Sequence, residues 1–439
     1  MGSDLITGDR NADYLSISAV PEKGLCCSCG ICAGICPVGA VSFERRGAGF
    51  IPVVDNDKCI KCGKCLKACP GAGYKHGVEE NEPGMAEFPP MCYSVQTKNT
   101  SLIRSSTSGG FITNAVSKLL RDKEYDVAFL IRGYSYDKQV VSLLIGNNLE
   151  MEETEKSRYI PVSHENAVRF IRNNRDKKVI FVGTPCAVHG LLKTLEIEKI
   201  PRDNILIIGL FCDMSMNYSM FEYIKHLYGG GKDIENLYFR DKRAGGYPGN
   251  MRIEYSDGTF LHISAKERMI LKDFCKLERC LYCLDKLNEH ADFSVGDNYT
   301  GMDNYSGGSS SLILRSKKAE EIWEKIKDEF AYSDAIYDAI LTSQKLAGRT
   351  IQLRNLDEYA CENGGAKPEE GIPRDLAFLM KKEQLDGIGI AQGRSLSLQK
   401  GDISLGESGD FAKIDRAKKK KKRRMFIKGI KNRLGIRSK

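Results

Sequence analysis

Cys26-Cys27-Ser28-Cys29-Gly30-Ile31-Cys32-Ala33-Gly34-Ile35-Cys36-Pro37 and Cys59-Ile60-Lys61-Cys62-Gly63-Lys64-Cys65-Leu66-Lys67-Ala68-Cys69-Pro70 share one spacing, C-x2-C-x2-C-x3-C-P. This is the ligand run of a chain holding two [4Fe–4S] clusters, in which the fourth cysteine of each run ligates the other cluster. Three thiolates on a tight loop reach three irons of one cubane, and the fourth points toward its neighbour. The spacing therefore assigns Cys26, Cys29, Cys32 and Cys69 to one cluster, and Cys59, Cys62, Cys65 and Cys36 to the other. Paired zinc sites are the rival, but zinc ligands come in two-plus-two spacing rather than three-plus-one.

Working outward, the runs define an α+β ferredoxin module over residues 19–76, behind a leader of 1–18 and ahead of a Gly- and Pro-rich linker of 77–95. The texture then changes to alternating strands and helices over 96–364. Ser105–Gly110 is a small-residue loop, followed by a helix with Phe111, Ile112, Ala115, Val116, Leu119 and Leu120 on one face. Tyr125–Arg132 and Val140–Ile145 read as strands. Lys178–Val182 and Asn204–Phe211 are continuous apolar strands, each followed by a helix, about Ala187–Leu195 and Met220–Tyr228. Such runs predict parallel strands covered on both faces, hence an α/β domain. A hairpin turning at Asp257-Gly258 follows. Residues 365–411 read as a linker and 412–439 as a basic amphipathic tail.

Charge separates body from tail. The net charge is +8, yet residues 410–439 alone carry fourteen Lys or Arg against Asp410 and Asp415, so the remainder is mildly acidic. Specific nucleic-acid binding by the body is not indicated. The tail, with seven consecutive basic residues at Lys418–Arg424 and apolar residues at helical spacing after them, suits an anionic membrane surface or an acidic partner. Nine of the sixteen cysteines precede residue 70. Met1–Asp13 is polar rather than the basic-then-apolar start of a secretory signal, so free thiols and clusters place the chain in a reducing cytoplasm, with peripheral attachment at the inner membrane face through the tail. The longest apolar runs, Val179–Gly183 and Ile205–Cys212, are strand-sized, far from the roughly 18 residues of a membrane span.

Ligands of open α/β sheets collect at the carboxyl ends of strands. Cys186 and Cys212 stand at two such ends, and Cys280 and Cys283 add a C-x2-C pair. These four are candidate ligands of a third [4Fe–4S] cluster. Zinc at the C-x2-C pair, or small buried hydrophobes at Cys186 and Cys212, are the alternatives. Cys275 competes as a ligand, while Cys27, Cys92 and Cys361 have no partner at ligand spacing. Ser108-Gly109-Gly110 opens a helix, where free N–H groups favour an anion, although an ordinary Ser/Thr cap is the commoner explanation. Gly183-Thr184-Pro185 and Gly296-Asp297-Asn298 are loop glycines, weak singly. Arg240, Lys242 and Gly245-Gly246 read as a solvated charged hairpin, with recognition of a substrate's acid group as the rival. No catalytic side chain is identified.

Ser105–Thr113 (SSTSGGFIT), Val182–Cys186 (VGTPC), Gly209–Cys212 (GLFC), Cys280–Cys283 with Ala291–Asp297 (ADFSVGD), and Ser309–Arg315 (SSSLILR) occur in this order. Together they resemble the beta subunit family of coenzyme F420 hydrogenase/dehydrogenase, some members of which carry a ferredoxin module in front. The resemblance covers roughly residues 20–345. It implies an FAD-binding α/β domain with its own [4Fe–4S] cluster, with Ser108, Gly109, Gly110, Thr113, Gly183, Thr184, Pro185, Gly296 and Asp297 as flavin contacts. It further implies an oxidoreductase that couples hydride chemistry at FAD, with F420H2 or another small-molecule donor or acceptor, to one-electron transfer through clusters. The partner would be a redox protein or ferredoxin. The alternatives are an electron-relay subunit without its own substrate, and a reductase of a sugar or other small molecule.

Overall fold

The computed structural model describes residues 16–346 except 23, 47–48, 73–89, 132–137, 147–150, 244, 266–267, 269–274, 282, 284 and 304, together with Arg416, Lys419, Arg423 and Phe426. Residues 1–15 of the expected leader, the helix at Lys266–Phe274 apart from Arg268, Cys361 and nearly all of the tail lie outside the described residues, while Ile17, at the end of that leader, is buried in the ferredoxin module. The four tail positions are helical and exposed.

In chain order the strands are β1 (Val41–Arg46), β2 (Gly49–Val54), β3 (Cys92–Thr97), β4 (Val127–Ile131), β5 (Val140–Ile145), β6 (Val162–Ser163) and β7 (Val179–Gly183). Then come β8 (Ile205–Leu210), β9 (Ile234–Asp241), β10 (Asn250–Tyr255), β11 (Phe260–Ile263), β12 (Phe293–Asp297), β13 (Ser310–Leu314) and β14 (Phe330–Asp334). The strands β1 and β2 form the hairpin of the ferredoxin module, and β9–β11 a separate antiparallel sheet. The remaining nine make one sheet in the order β14-β3-β13-β12-β8-β7-β4-β5-β6. Its centre, β12-β8-β7-β4, is parallel throughout, as the continuous apolar runs require. Antiparallel strands flank it, β5 against β4 and β13, β3 and β14 on the other side. One expectation is corrected here: residues 92–95 are not linker but the start of β3, an inner strand of this sheet.

Alternation of side chains sorts the central strands into two cores. Ile180, Val182, Leu206 and Ile208 face the helices Phe111–Arg121 and Lys317–Ile326, around Phe111, Leu119, Trp323 and Phe330. Val179, Phe181, Ile205 and Ile207 face the helices Glu165–Asn173 and Pro185–Glu198. That second core also takes in Cys27, Cys29, Ile31 and Ile35 of the ferredoxin module. The module is thus built into the body rather than tethered beside it.

The seam is close. A Cβ on Gly34 would lie 2.6 Å from Val168 Cβ, and one on Gly190 2.7 Å from Ile31 Cγ1. The backbone N–H of His164 donates to the carbonyl of Cys29 at 2.8 Å, and Arg172 donates to the carbonyl of Gly34 at 3.0 Å. Lys64 pairs with Glu198 at 2.8 Å. The His164 ring packs on Phe181, and burial brings its imidazole down to about 4, so the ring is neutral at the seam. Gly190→Ala drives a methyl into Ile31 from a helix that accepts alanine well. The expected cost is about 1–3 kcal/mol by chemical denaturation. Gly146→Ala, which meets nothing within 4 Å, is the control and leaves stability unchanged.

Candidate functional site

Each ferredoxin run turns on a glycine. Gly30 (φ 76°) and Gly63 (φ 71°) take the left-handed conformation just before the helices Ile31–Ile35 and Lys64–Lys67, which aims the third cysteine of each run back toward the first two. Two voids result. One, of about 300 Å³, is lined by Cys26, Cys27, Cys29, Cys32 and Cys69 among Ile17, Val20, Phe43 and Pro52. The other, of about 390 Å³, is lined by Cys36, Cys59, Cys62 and Cys65 among Val38, Val41, Val54 and Ile60. Each void borders three cysteines of one run and the fourth of the other, the partition that crossed ligation needs. Backbone N–H groups already point at sulfur, Ser28 to Cys26 at 3.3 Å and Ala40 to Cys36 at 3.2 Å. Burial pushes the Cys26 thiol up to about 12 and the Cys65 thiol up to about 11, so a metal is what would hold these sulfurs as thiolates. Both sets fit an iron–sulfur cluster.

The two sets differ in exposure. Cys26, Cys29, Cys32 and Cys69 are buried; Cys36, Cys59 and Cys65 are half-buried and Cys62 reaches solvent. Ile60 beside it is 60% exposed.

Two more of the candidate cysteines stand at the sheet ends. The strands β7 and β8 are parallel neighbours, with Gly183 opposite Gly209. Cys186 sits at the start of the helix Pro185–Glu198 and Cys212 two residues past β8. Lys286 and Asn288 tie these ends together. The N–H of Cys212 donates to the carbonyl of Lys286 at 2.8 Å, and Asn288 donates to the carbonyls of Gly183 and Leu210. The N–H of Ser215 meets Cys280 Sγ at 3.3 Å. Cys275 is fully buried among Met214, Met216 and Phe221, in the core against which Cys280 also packs. Cys92 is likewise core, packed with Leu287, Ile313 and Ile340. Cys27, which its spacing marks as a bystander, packs in the core that Cys186 also borders. Thr184 Oγ1 lies 3.4 Å from Cys186 Sγ, and the buried Arg279 guanidinium stands near Cys186, Cys27 and Cys69.

The loop glycines expected at a flavin are filled by the protein itself. A Cβ on Gly109 would lie 2.3 Å from the Val95 carbonyl, on Gly183 2.7 Å from Phe181, and on Gly296 2.3 Å from Phe211. Pro185 opens its helix and is buried, and Thr113 is buried on the helix Phe111–Arg121. A Ser/Thr cap is not what Ser108 provides. Gly110 (φ 76°) takes the cap position without a side-chain bond, and Ser108 Oγ donates instead to the carbonyl of Ser309 at 2.6 Å.

Around that loop the solvated hairpin expected at Arg240 and Lys242 is overturned. Arg240, Asp241 and Lys242 are 4%, 0% and 9% exposed, because β9 passes beneath the loop. Arg240 grips Asp297 with both terminal nitrogens, at 2.5 and 3.1 Å, and donates to the carbonyl of Thr107 at 3.1 Å. Lys242 Nζ donates to the carbonyls of Ser108 and Gly307. Burial, with the Arg240 charge beside it, brings the Lys242 ammonium down to about 8. Lys156 pairs with Asp241, Arg243 grips the same carboxylate, and Tyr299 donates to Asp297 at 3.0 Å. The outcome is a basic, aromatic-edged cluster over an uncapped helix N-terminus, a setting for an anionic group. Lys156, Arg243, Arg279, Tyr247 and Tyr299 had no signal in the sequence beyond residue type.

Comparison with known proteins agrees with this layout. Residues 25–72 match the 4Fe–4S dicluster domain, and residues 176–335 match the C terminus of the coenzyme F420 hydrogenase/dehydrogenase beta subunit. A coenzyme F420-dependent sulfite reductase of Methanocaldococcus jannaschii is 28% identical over 329 residues, covering 70% of this chain. The chain spans only 46% of that enzyme's length. One of the subunits of the F420H2 dehydrogenase of Methanosarcina mazei is 25% identical over 387 residues, covering 82% of this chain and 96% of that subunit. A chain of the F420-reducing nickel–iron hydrogenase complex of Methanosarcina barkeri superposes at a TM-score of 0.47 with 16% identity, covering 66% of this chain and 99% of that one. With a dicluster domain in front and a match to that C terminus behind, the chain is an iron–sulfur oxidoreductase related to coenzyme F420-dependent enzymes.

Proposed function

We propose that the chain is a flavin-dependent electron converter, exchanging hydride with a small molecule at one end and single electrons with a protein partner at the other. Kinship with the two named relatives makes F420H2 the first candidate for the small molecule. The observation that carries the reading is the placement of the thiol sets, one buried set in the ferredoxin module against the body and two half-buried sets beyond it. Cys186, Cys212, Cys280 and Cys283 are half-buried, the first two at the sheet ends. Cys26, Cys29, Cys32 and Cys69 lie at the seam, and the Cys36, Cys59, Cys62 and Cys65 set opens to solvent. A cluster in each set would make a line from body to surface, ending where Ile60 and Cys62 can meet a redox protein.

A bound flavin would supply the conversion between a two-electron hydride and the single electrons that clusters carry. Of its expected contacts, Ser108 and Gly109 are bonded to Ser309 and Ser310 and Gly110 opens a helix, so what this loop offers a phosphate is the helix N-terminus. There Lys242 and Arg240 hold the loop carbonyls and lend positive charge, and the helix Phe111–Arg121 opens uncapped. Gly183, Gly296, Thr184 and Asp297 are already committed to protein partners. That commitment favours a second reading, an electron relay without its own substrate, and flavin content separates the two.

Cys283→Ser tests the route. In anaerobically purified protein it should remove one cluster of three while both ferredoxin clusters stay reducible by dithionite. Transfer from F420H2 to a one-electron acceptor should fall at least about tenfold. Unchanged iron and unchanged turnover would make the C-x2-C pair a bystander.

A further inference from the structure

The two ferredoxin runs share their spacing but not their charge. In the second run Lys58, Lys61, Lys64 and Lys67 recur at every third position, against Asp55 and Asp57 just before them. The matching positions of the first run are Leu25, Ser28, Ile31 and Gly34, and that run carries no charge at all. Cluster ligation therefore does not ask for the lysines. What separates the runs is surroundings, since the first is turned into the core and the second faces solvent.

Two of the lysines are spoken for. Lys58 pairs with Asp55 at 2.7 Å, and Lys64 with Glu198. Arg172 and Arg175 each stand 3.7 Å from the same Glu198, so the basic excess continues onto the body. Among the described residues Lys61 and Lys67 make no ion pair, and both are exposed. Beside them Ile60 and Val38 are 60% and 41% exposed. Ile60, Val38, Lys61 and Cys62 all line the void of the open thiol set. The outer wall of that void is thus an apolar centre with uncompensated positive charge next to it, on a body that is mildly acidic elsewhere.

We propose that this face docks an acidic one-electron redox protein, whose carboxylates meet Lys61 and Lys67 while its cofactor edge meets Ile60 and Val38. This rests on the reading of Cys36, Cys59, Cys62 and Cys65 as the cluster through which electrons leave the chain. One electron passes from the reduced cluster to the partner's oxidised metal centre, and no bond forms or breaks. Electron-transfer encounters are small and brief, and complementary charge raises their association rate more than their affinity. A lipid headgroup would use the lysines but has no use for a thiol set open beside them.

The test uses the anaerobically purified full chain, reduced with dithionite and freed of it, so that electrons enter without flavin or hydride donor. Its oxidation by an acidic plant-type [2Fe–2S] ferredoxin is followed by stopped flow, for wild type, Lys61→Glu with Lys67→Glu, and Lys232→Glu. Rates are taken per intact cluster, counted from iron and electron paramagnetic resonance. The wild-type rate should fall as salt rises, and the double variant should be at least about tenfold slower at low salt, the two converging near 1 M salt. Lys232→Glu, the same kind of charge reversal ahead of β9, should match wild type. If the double variant loses the open cluster, Lys67→Glu alone, outside the C-x2-C-x2-C stretch, carries the comparison. Equal rates in wild type and variant would overturn the proposal, as would an equal loss in Lys232→Glu. So would anionic vesicles that bind wild type but not the variant while the ferredoxin rate stands still, or a dimer that Ile60→Asp dissociates. Wild type whose open cluster is not reoxidised even by a small neutral quinone would instead defeat the reading of that cluster as the exit.

Discussion

Cys69→Ser removes the cluster of Cys26, Cys29 and Cys32, not the cluster of its own sequence neighbours Cys62 and Cys65. Iron should fall from about 12 to about 8 per chain, with the resonance of the surface cluster intact. The basis is the partition of the two voids: Cys69 lines the buried one and Cys36 the open one. Because the buried set lies in the module's own core, with Cys29 in the core shared with the body, the same change should lower thermal stability, since metal–thiolate binding is folding free energy. Cys36→Ser, at the open set, should cost the other cluster and far less stability. If Cys69→Ser instead erased the surface cluster alone, each run would ligate its own cubane and the crossed assignment would be wrong.

Asp297→Asn should destabilise the fold by about 3–5 kcal/mol, because it leaves the Arg240 guanidinium buried without its counter-charge. The two side chains are 3% and 14% exposed, and their contact joins β9 to the end of β12 and, through the carbonyl of Thr107, to the loop at Ser108. Urea unfolding measures the loss. Replacing both partners together, Arg240→Met with Asp297→Leu, should recover much of it, since the penalty comes from the orphaned charge and not from the missing contact. Any anion bound over the loop should nevertheless be lost in the double variant. The exposed pair Lys232–Asp257 is the control, and removing Asp257 should leave stability unchanged. Equal effects at both places would show that the Arg240–Asp297 pair is not desolvated.

The parts that were legible in the sequence are those in which chemistry enforces local spacing. The dicluster run C-x2-C-x2-C-x3-C-P is wholly local in sequence, so the dicluster domain at residues 25–72 could be anticipated from spacing alone. β7 and β8 announced themselves as five- and six-residue apolar runs because both of their faces are covered. β3 did not, since it follows Pro89-Pro90 and its partners β13 and β14 lie some two hundred residues on. Arg240 and Lys242 read as solvated because charged side chains usually are. Their burial depends on Asp297, 57 residues away, and on carbonyls of a loop more than a hundred residues upstream. Cys27 reads as a bystander because nothing at ligand spacing answers it; the core it packs into is shared with helices of the body, which spacing does not show. Glycine gave the weakest signal. Gly109, Gly183 and Gly296 marked close approach correctly, but the approaching atoms belong to Val95, Phe181 and Phe211 rather than to a cofactor.

The central claim is that a two-electron donor at the body feeds single electrons to clusters that end at Cys62. The most direct measurement is an anaerobic titration of the purified full chain with F420H2, followed in the visible spectrum and by electron paramagnetic resonance, with iron and flavin assayed on the same sample. The account predicts about 12 iron and one flavin per chain, bleaching of the flavin band, and cluster resonances growing in with substoichiometric donor. NADH, NADPH and reduced ferredoxin, run in parallel, identify the donor if F420H2 is not it. A chain that holds its clusters and is reduced by dithionite or ferredoxin, but contains no flavin and ignores every hydride donor, would contradict the account and leave a relay in its place.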